Sequence, residues 1–318
     1  MIKGKIFFIT GGAGFIGTSL VQRIIQDNKV IVYDNFHRNA LKFTALSSHS
    51  NLTLIEGDVL NRDLLQKHIK GANVVVHLAS IAGVDNVLAK PVKTMEIALL
   101  GTHNVLSLAK EESTIECFID FSTSEVFGSF AFNVTEAEPT LIGSVGEARW
   151  TYAVSKLATE HLTLNYFKQY GFPALSIRPF NIFGPLQVGE GAIHTFIMRA
   201  LKNAPLCIHN EGNQIRSWCY IDDIVDGILL SIEKKEAIGQ ALNIGNPINT
   251  FTIYNLAKII IRLCKSQSKI IFVKKNIVDV ELRIPSVEKA KRILNFVPKV
   301  DLEEGLLKTI EWYKNTNL

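Results

Sequence analysis

Hydrophobic residues fall into two repeating patterns along the chain. Short apolar runs at residues 5–10 (KIFFIT), 29–33 (KVIVY), 52–56 (LTLIE), 73–78 (NVVVHL) and 115–121 (IECFIDF) are rich in Val, Ile and Phe. Several are apolar at successive positions, as strands covered on both faces are. Longer stretches at 15–26, 62–69, 91–110 and 150–170 carry the amphipathic pattern of helices, and Pro91 suits a first helical turn. Repeated strand–helix alternation predicts βαβ units and an α/β fold with a doubly wound parallel sheet. Two further strands are predicted at 173–178 (PALSIR) and 240–244 (QALNI).

Beyond residue 180, Gly, Pro and Asn punctuate the chain more often, as in NIFGP, GNPIN and NFVPK. Helices are predicted there at 192–201, 222–232, 252–263, 286–294 and 302–313. Residues 1–180 are expected to form the main domain, with the strand near 240–245 returning to its sheet. Residues 181–318 are expected to form mainly a smaller C-terminal lobe.

Composition narrows the class. Of 318 residues, 47% are apolar and 20% charged, which fits a folded globular chain rather than a disordered one. The 34 basic and 30 acidic residues leave a net charge of +4 with no basic run to track phosphates, so no nucleic-acid partner is expected. Cys117, Cys207, Cys219 and Cys264 follow neither zinc nor disulfide spacing, which suits a reducing compartment. No run approaches the roughly 20 apolar residues of a membrane span. The start, MIKGKIFFITGG, lacks a signal peptide's longer apolar region. A cytoplasmic protein is the expectation.

The strongest local signal is TGGAGFIG at 10–17, placed directly after an apolar strand and opening a helix. Glycines let the chain turn sharply and let backbone N–H groups approach a phosphate. The helix N-terminus offers unpaired N–H groups to a pyrophosphate. Asp34 ends the second strand, where a carboxylate binds the ribose hydroxyls of a dinucleotide and repels a 2′-phosphate. NAD is therefore expected over NADP, with Arg38 as the one residue pointing the other way.

Tyr152 and Lys156 lie one turn apart on a predicted helix. A lysine cation beside a phenol is expected to lower its pKa. Such a tyrosine takes a proton from a substrate hydroxyl while hydride leaves for a nicotinamide. Tyr-x-x-x-Lys alone is common on exposed helices. Ser122, Thr123, Ser124 and Glu125 follow the fifth strand; their hydroxyls could hold a substrate oxygen or merely cap a turn.

Together these pieces resemble the extended short-chain dehydrogenase/reductases, specifically the nucleotide-sugar epimerase/dehydratase/decarboxylase group. The resemblance runs along nearly the whole chain: TGGAGFIG (10–17), YDN (33–35), GDV (57–59), HLAS (77–80), FSTSEVFG (121–128), YAVSK (152–156), RPFNIFGP (178–185) and NIGNP (243–247). It implies a Rossmann-type NAD-binding domain and a nucleotide-sugar-binding lobe. Gly11, Gly14 and Gly17 match the pyrophosphate turn, with Phe15 and Ile16 between them. Asp34 and Asn35 match the ribose side, Asp58 and Val59 the adenine contact, and Leu78, Ala79 and Ser80 the stretch under the cofactor. Thr123, Tyr152 and Lys156 match the catalytic triad, with Lys156 also holding the nicotinamide ribose. Ser124 and Glu125 are further candidates for catalysis and sugar contact. Asn181, Arg216 and Arg283 match contacts to the sugar nucleotide, the two arginines gripping its diphosphate. No metal is implied.

Two positions depart from the family. Ala98 stands where asparagine is usual near the cofactor, and Phe127 where a tyrosine stacks near the substrate. The shared opening step makes a 4-keto sugar, whose fate the motifs leave open. A UDP-hexose or UDP-hexuronate 4-epimerase is placed first. A UDP-glucuronate decarboxylase comes second, because STSE and the run at 77–94 resemble those enzymes. A hexose 4,6-dehydratase comes third, since Ser124 replaces its aspartate. A non-catalytic NAD-binding regulator is disfavoured because Tyr152 and Lys156 are both present. His77 is read as structural, His194 as packing in preference to substrate contact, and Trp218 and Trp312 as packing. The helices at 91–110 and 150–170 match those that pair across a family homodimer.

Overall fold

Alternation inside the apolar runs decides the architecture. In the strand Ile6–Thr10, Phe7 and Ile9 enter one core while Phe8 enters another. In Val74–His77, Val74 and Val76 join the first core and Val75 the second. Each strand thus needs helices on both of its faces. The computed structural model describes residues 2–274 and 279–316. Its main sheet is built from β1 (Ile6–Thr10), β2 (Lys29–Asp34), β3 (Leu52–Glu56), β4 (Val74–His77), β5 (Cys117–Phe121), β6 (Ala174–Pro179) and β7 (Ala241–Ile244). These seven strands are parallel, in the order β7-β6-β5-β4-β1-β2-β3. The order reverses after β1 and β4, which opens a crevice at the carboxyl ends of those strands.

The helices follow from local signals. The side chain of Asn61 caps α2 (Arg62–Ile69) by accepting the Leu64 N–H at 3.1 Å. Pro91 opens α3 (Pro91–Glu111), and Gly171, at φ 65°, ends α4 (Thr151–Tyr170) in the left-handed region. α2, α3 and α4 cover one sheet face, while α1 (Phe15–Ile24) and the helix Ile221–Glu233 cover the other. Trp218 is buried, and Trp312 packs edge-on against Phe43 with ring centroids 5.8 Å apart. Among the described residues, no helix is long and apolar enough to cross a membrane.

Sequence periodicity does not predict the second sheet. Strands Phe130–Val134, Leu282–Pro285, Ile215–Ser217 and Thr250–Thr252 form it, and two small ribbons pair Ile182–Phe183 with Cys219–Tyr220 and Leu206–His209 with Ile270–Val273. Most of these strands are too short to display a period. Phe130–Val134 inverts the usual one, with Phe130 and Phe132 exposed around buried Ala131. The short helix Val84–Ala89 is likewise absent from the sequence reading.

β7 completes the main sheet from far along the chain, with Leu242 opposite Ile177 and fully buried. Leu242→Ala is expected to lower stability by about 2–5 kcal/mol through the cavity it leaves. Urea unfolding checks this. A loss near zero would mean that β7 is only loosely docked.

Candidate active site

β1 ends at Thr10 and the chain turns at Gly11, whose φ of 69° is left-handed. A Cβ on Gly11 would stand 2.7 Å from the Ala79 nitrogen, so only glycine lets the ends of β1 and β4 come this close. At Gly17 a Cβ would meet the Gly12 Cα at 2.5 Å, which fixes how tightly α1 packs on the turn. The turn opens one side of a cleft of about 660 Å³. Every residue that the sequence assigned to the cofactor lines this cleft, including Asp34, Asn35, Asp58, Val59, Leu78, Ala79, Ser80, Tyr152 and Lys156.

Asp34 joins the ends of β1 and β2. Its carboxylate accepts N–H groups from Ala13 at 3.0 Å and Phe36 at 2.8 Å. Burial pushes its pKa up, and the backbone donors pull against that. The Asp58 carboxylate accepts the Leu60 N–H at 2.9 Å, and the Tyr33 hydroxyl donates to the Asp58 carbonyl at 2.9 Å. Ser122 Oγ sits in the cleft wall, buried and without a hydrogen-bond partner. An open glycine cradle, an acidic ribose site and an unsatisfied hydroxyl together fit NAD.

Arg38 is already engaged. It donates to the Ala82 carbonyl at 3.0 Å and pairs with Glu190 at 3.2 Å. Asn86 also donates to Glu190, and Gly83 leaves the room that this carboxylate occupies. Gln187, Val188 and Glu190 therefore reach across from beyond β6 to the rim of the cleft. A guanidinium held in this way is a poor 2′-phosphate site. The sequence reading missed Glu190, whose only local signal is its position between Gly189 and Gly191.

A second cluster adjoins the cleft at Tyr152, which lines the cleft and also feels the charge of Glu125. Arg149 grips Glu125 with two hydrogen bonds, at 2.7 and 3.0 Å. Arg283 lies 3.6 Å from the same carboxylate. Burial raises the pKa of Glu125, but Arg283 and Arg149 outweigh it and hold the group ionised. Arg216 pairs with Arg283 in parallel register and lies 3.5 Å from Asp279. Burial and the neighbouring Arg283 bring the Arg216 pKa down to about 10. The Nε atoms of Arg149 and Arg283 are buried without hydrogen-bond partners. These arginines have the character of an anion site rather than a surface. Sequence reasoning missed Arg149, since nothing local says that its side chain turns back onto Glu125.

The remaining candidates find definite places. Thr123 Oγ1 accepts the Glu125 N–H at 3.2 Å and caps that turn, leaving its proton free to donate; Ser124 beside it is buried. Asn181 donates to the Ser217 carbonyl at 3.2 Å and so braces the strand of Arg216. His77 is buried between the hydroxyls of Thr10 at 2.6 Å and Thr102 at 3.0 Å. Burial, with the Lys156 charge, drives its pKa to about 3 and keeps it neutral.

The positions singled out for their charge or their departure from the family pattern also have definite surroundings. Among the protein's own groups, burial pushes the Tyr152 pKa up, then Glu125 and Asp120, while the Ser80 hydroxyl pulls the other way. Lys156 lies 3.8 Å from Asp120, which draws on its charge. Phe127 is buried against Phe180 with the Arg178 guanidinium over its ring, and does not line the cleft. Ala98 is buried within α3, while its neighbour Ile97 reaches the cleft wall. His194 bonds the Tyr313 hydroxyl at 2.8 Å and lies outside the cleft lining, so it is a packing residue.

Comparison with known proteins agrees with this geometry. The sequence model of the NAD dependent epimerase/dehydratase family matches residues 7–245. The chain is 33% identical to UDP-N-acetyl-alpha-D-glucosaminuronate decarboxylase of Bacillus cytotoxicus, over 98% of both chains. It is 34% identical to UDP-glucuronic acid decarboxylase 6 of Arabidopsis thaliana, over 94% of this chain and 85% of that one. The UDP-glucuronic acid 4-epimerase of Bacillus cereus, solved with UDP-glucuronic acid and NAD, superposes with a TM-score of 0.89. That structure is 28% identical and covers 98% of this chain and 99% of its own.

The glycine turn yields a direct test. Gly11→Ala puts a methyl group against Ala79 at a left-handed position, and is expected to weaken dinucleotide binding at least about tenfold by calorimetry. Unchanged affinity would place the pyrophosphate elsewhere.

Proposed function

The chain belongs to the NAD dependent epimerase/dehydratase family and is an NAD-dependent enzyme, and from that premise we propose that it decarboxylates a UDP-linked hexuronate. The observation that carries this reading is the pairing of Glu125 with Arg149 and Arg283 beside Tyr152. Three arginines against Glu125 and Asp279 leave one net positive charge beside Tyr152, which suits an anionic substrate. The two decarboxylases named above support the same choice, which puts decarboxylation ahead of epimerisation.

The chemistry asks little of the protein beyond placement. NAD held in the cleft would supply the reversible hydride acceptor for the sugar C4 alcohol. Tyr152 takes the C4 hydroxyl proton, and Thr123 donates a hydrogen bond to the same oxygen. The oxidised sugar is a β-keto acid. Its C5–carboxylate bond breaks, carbon dioxide leaves, and the electron pair is held as an enolate on the C4 oxygen. Tyr152 and Thr123 stabilise that charge as donors. A proton then adds at C5, and Tyr152 returns its proton to the C4 oxygen as the ketone is reduced. One proton is consumed and one carbon dioxide released per turnover.

A hexuronate 4-epimerase is the second reading, favoured by the superposition on the Bacillus cereus enzyme. Mass spectrometry of UDP-glucuronate and UDP-N-acetylglucosaminuronate after incubation with enzyme and NAD+ separates the two. Loss of carbon dioxide is expected. An unchanged mass with a new anomeric signal would select epimerisation, and no reaction with either sugar would end the uronate reading. Tyr152→Phe is expected to bind NAD normally and to lose about 10²–10⁴-fold in turnover.

We also infer a homodimer through α3 and α4, on which Val92, Leu100 and Val154 are exposed. Light scattering at micromolar concentration is expected to give a dimer for the wild type and a monomer for Leu100→Glu. A wild-type monomer would overturn this pairing.

A further inference from the structure

The chain that follows β6 does not stay on its own side of the sheet. Gln187, Val188 and Glu190 line the cofactor cleft, and Glu190 reaches Arg38, which follows β2. In the sheet order, β5, β4 and β1 lie between β6 and β2. Four strand spacings of about 4.8 Å put β6 and β2 roughly 19 Å apart. An ion pair between the segments that follow them must pass over the carboxyl ends of the strands between. The glycine turn after β1 and Leu78, Ala79 and Ser80 after β4 face the cleft at that place.

This strap, residues 186–191, is fastened at both ends. At its root Leu186 is buried, and the Tyr313 hydroxyl donates to the Gln187 carbonyl at 2.5 Å. His194 lies 2.8 Å from the same hydroxyl. At its tip one Glu190 oxygen accepts from the Arg38 guanidinium at 3.2 Å and from the Asn86 amide. Arg38 also donates to the Ala82 carbonyl at 3.0 Å. Segments that follow β2, β4 and β6 thus meet in one knot at the cleft rim. Unlike the root, this knot meets water: the Arg38 and Glu190 side chains are 33% and 31% exposed. Glu190 stands between Gly189 and Gly191, whose φ values of 99° and 134° other residues rarely adopt.

We propose that Glu190 is the clasp of a strap over the bound dinucleotide, and that its bonds to Arg38 and Asn86 set how fast NAD enters and leaves. The inference needs no assumption about the sugar. The bonds of the clasp join protein groups alone, so a dinucleotide must part them in both directions. Water competes for an ion pair exposed to this degree, so the clasp opens without unfolding the lobe. The glycines on either side let the tip swing, and the buried root brings it back to the same partners. A reaction that hands its hydride back to the sugar has a use for such a clasp. Reduced nicotinamide lost in mid-cycle would leave a ketone that the enzyme could not reduce.

Glu190→Ala removes both bonds of the tip and leaves the root intact. Stopped-flow fluorescence of NADH gives the two rates, by mixing it with the NAD-free protein and by displacing it with excess NAD+. Release and association are each expected to rise about tenfold in the variant, while the dissociation constant changes by less than about threefold. Unchanged release overturns the inference. Faster release with unchanged association overturns it too, because Glu190 would then be an ordinary contact to the cofactor. Arg38→Ala gives a second test. It is expected to speed release in the otherwise native chain and to add less than about twofold in the Glu190→Ala protein. Equal acceleration in both backgrounds would mean that the two residues act separately, and would overturn the clasp.

Discussion

A parallel sheet covered on both faces has room for ions only at its carboxyl edge, and every ion placed there must find its counter-charge inside the protein. That constraint organises this molecule. Lys156 is held against Asp120, Arg178 against Glu160, and Arg149 against Glu125. Each pair takes members from different elements, so helix α4, strands β5 and β6 and the turn after β5 are fixed relative to one another by charge as well as by packing. Breaking such a pair is far more costly than never having made it, because the survivor stays buried and uncompensated.

The two halves of the site offer an anion different means of attachment. The glycine turn offers backbone N–H groups and a helix end, with no side-chain charge of its own. The arginine cluster offers guanidinium forks and is tuned by Glu125 and Asp279. A backbone cradle suits a cofactor whose phosphates are always the same. A side-chain cluster can be altered one residue at a time, which suits the part of the ligand that differs between relatives sharing one fold.

The parallel sheet and the cofactor cleft were legible in the sequence because both are written locally. Strand runs such as NVVVHL carry their burial on their face, and the glycine turn gives strand, turn and helix in eight residues. Asp34 was legible from its place at the end of β2. Arg149, Asp120 and Glu190 were not, because their partners lie 24, 36 and 152 residues away. The phenol of Tyr152 shows the same limit: its place one turn from Lys156 is local, but the burial and the Glu125 and Asp120 charges that push its pKa up are not. Only the fold places Asp120 3.8 Å from the lysine.

Arg216 and Arg283 lie side by side on neighbouring strands, both buried, with their like charges only partly offset. The two guanidinium groups repel each other, and an anionic ligand relieves that repulsion. Ligand bound to the folded state alone adds about 2.7 kcal/mol at a hundred times its dissociation constant, a sizeable part of a protein's margin of about 5–15 kcal/mol. The part of the fold that carries Arg216 and Arg283 is accordingly least robust without an anion against it. Its persistence in a cell is then a property of the metabolite pool as much as of the polypeptide.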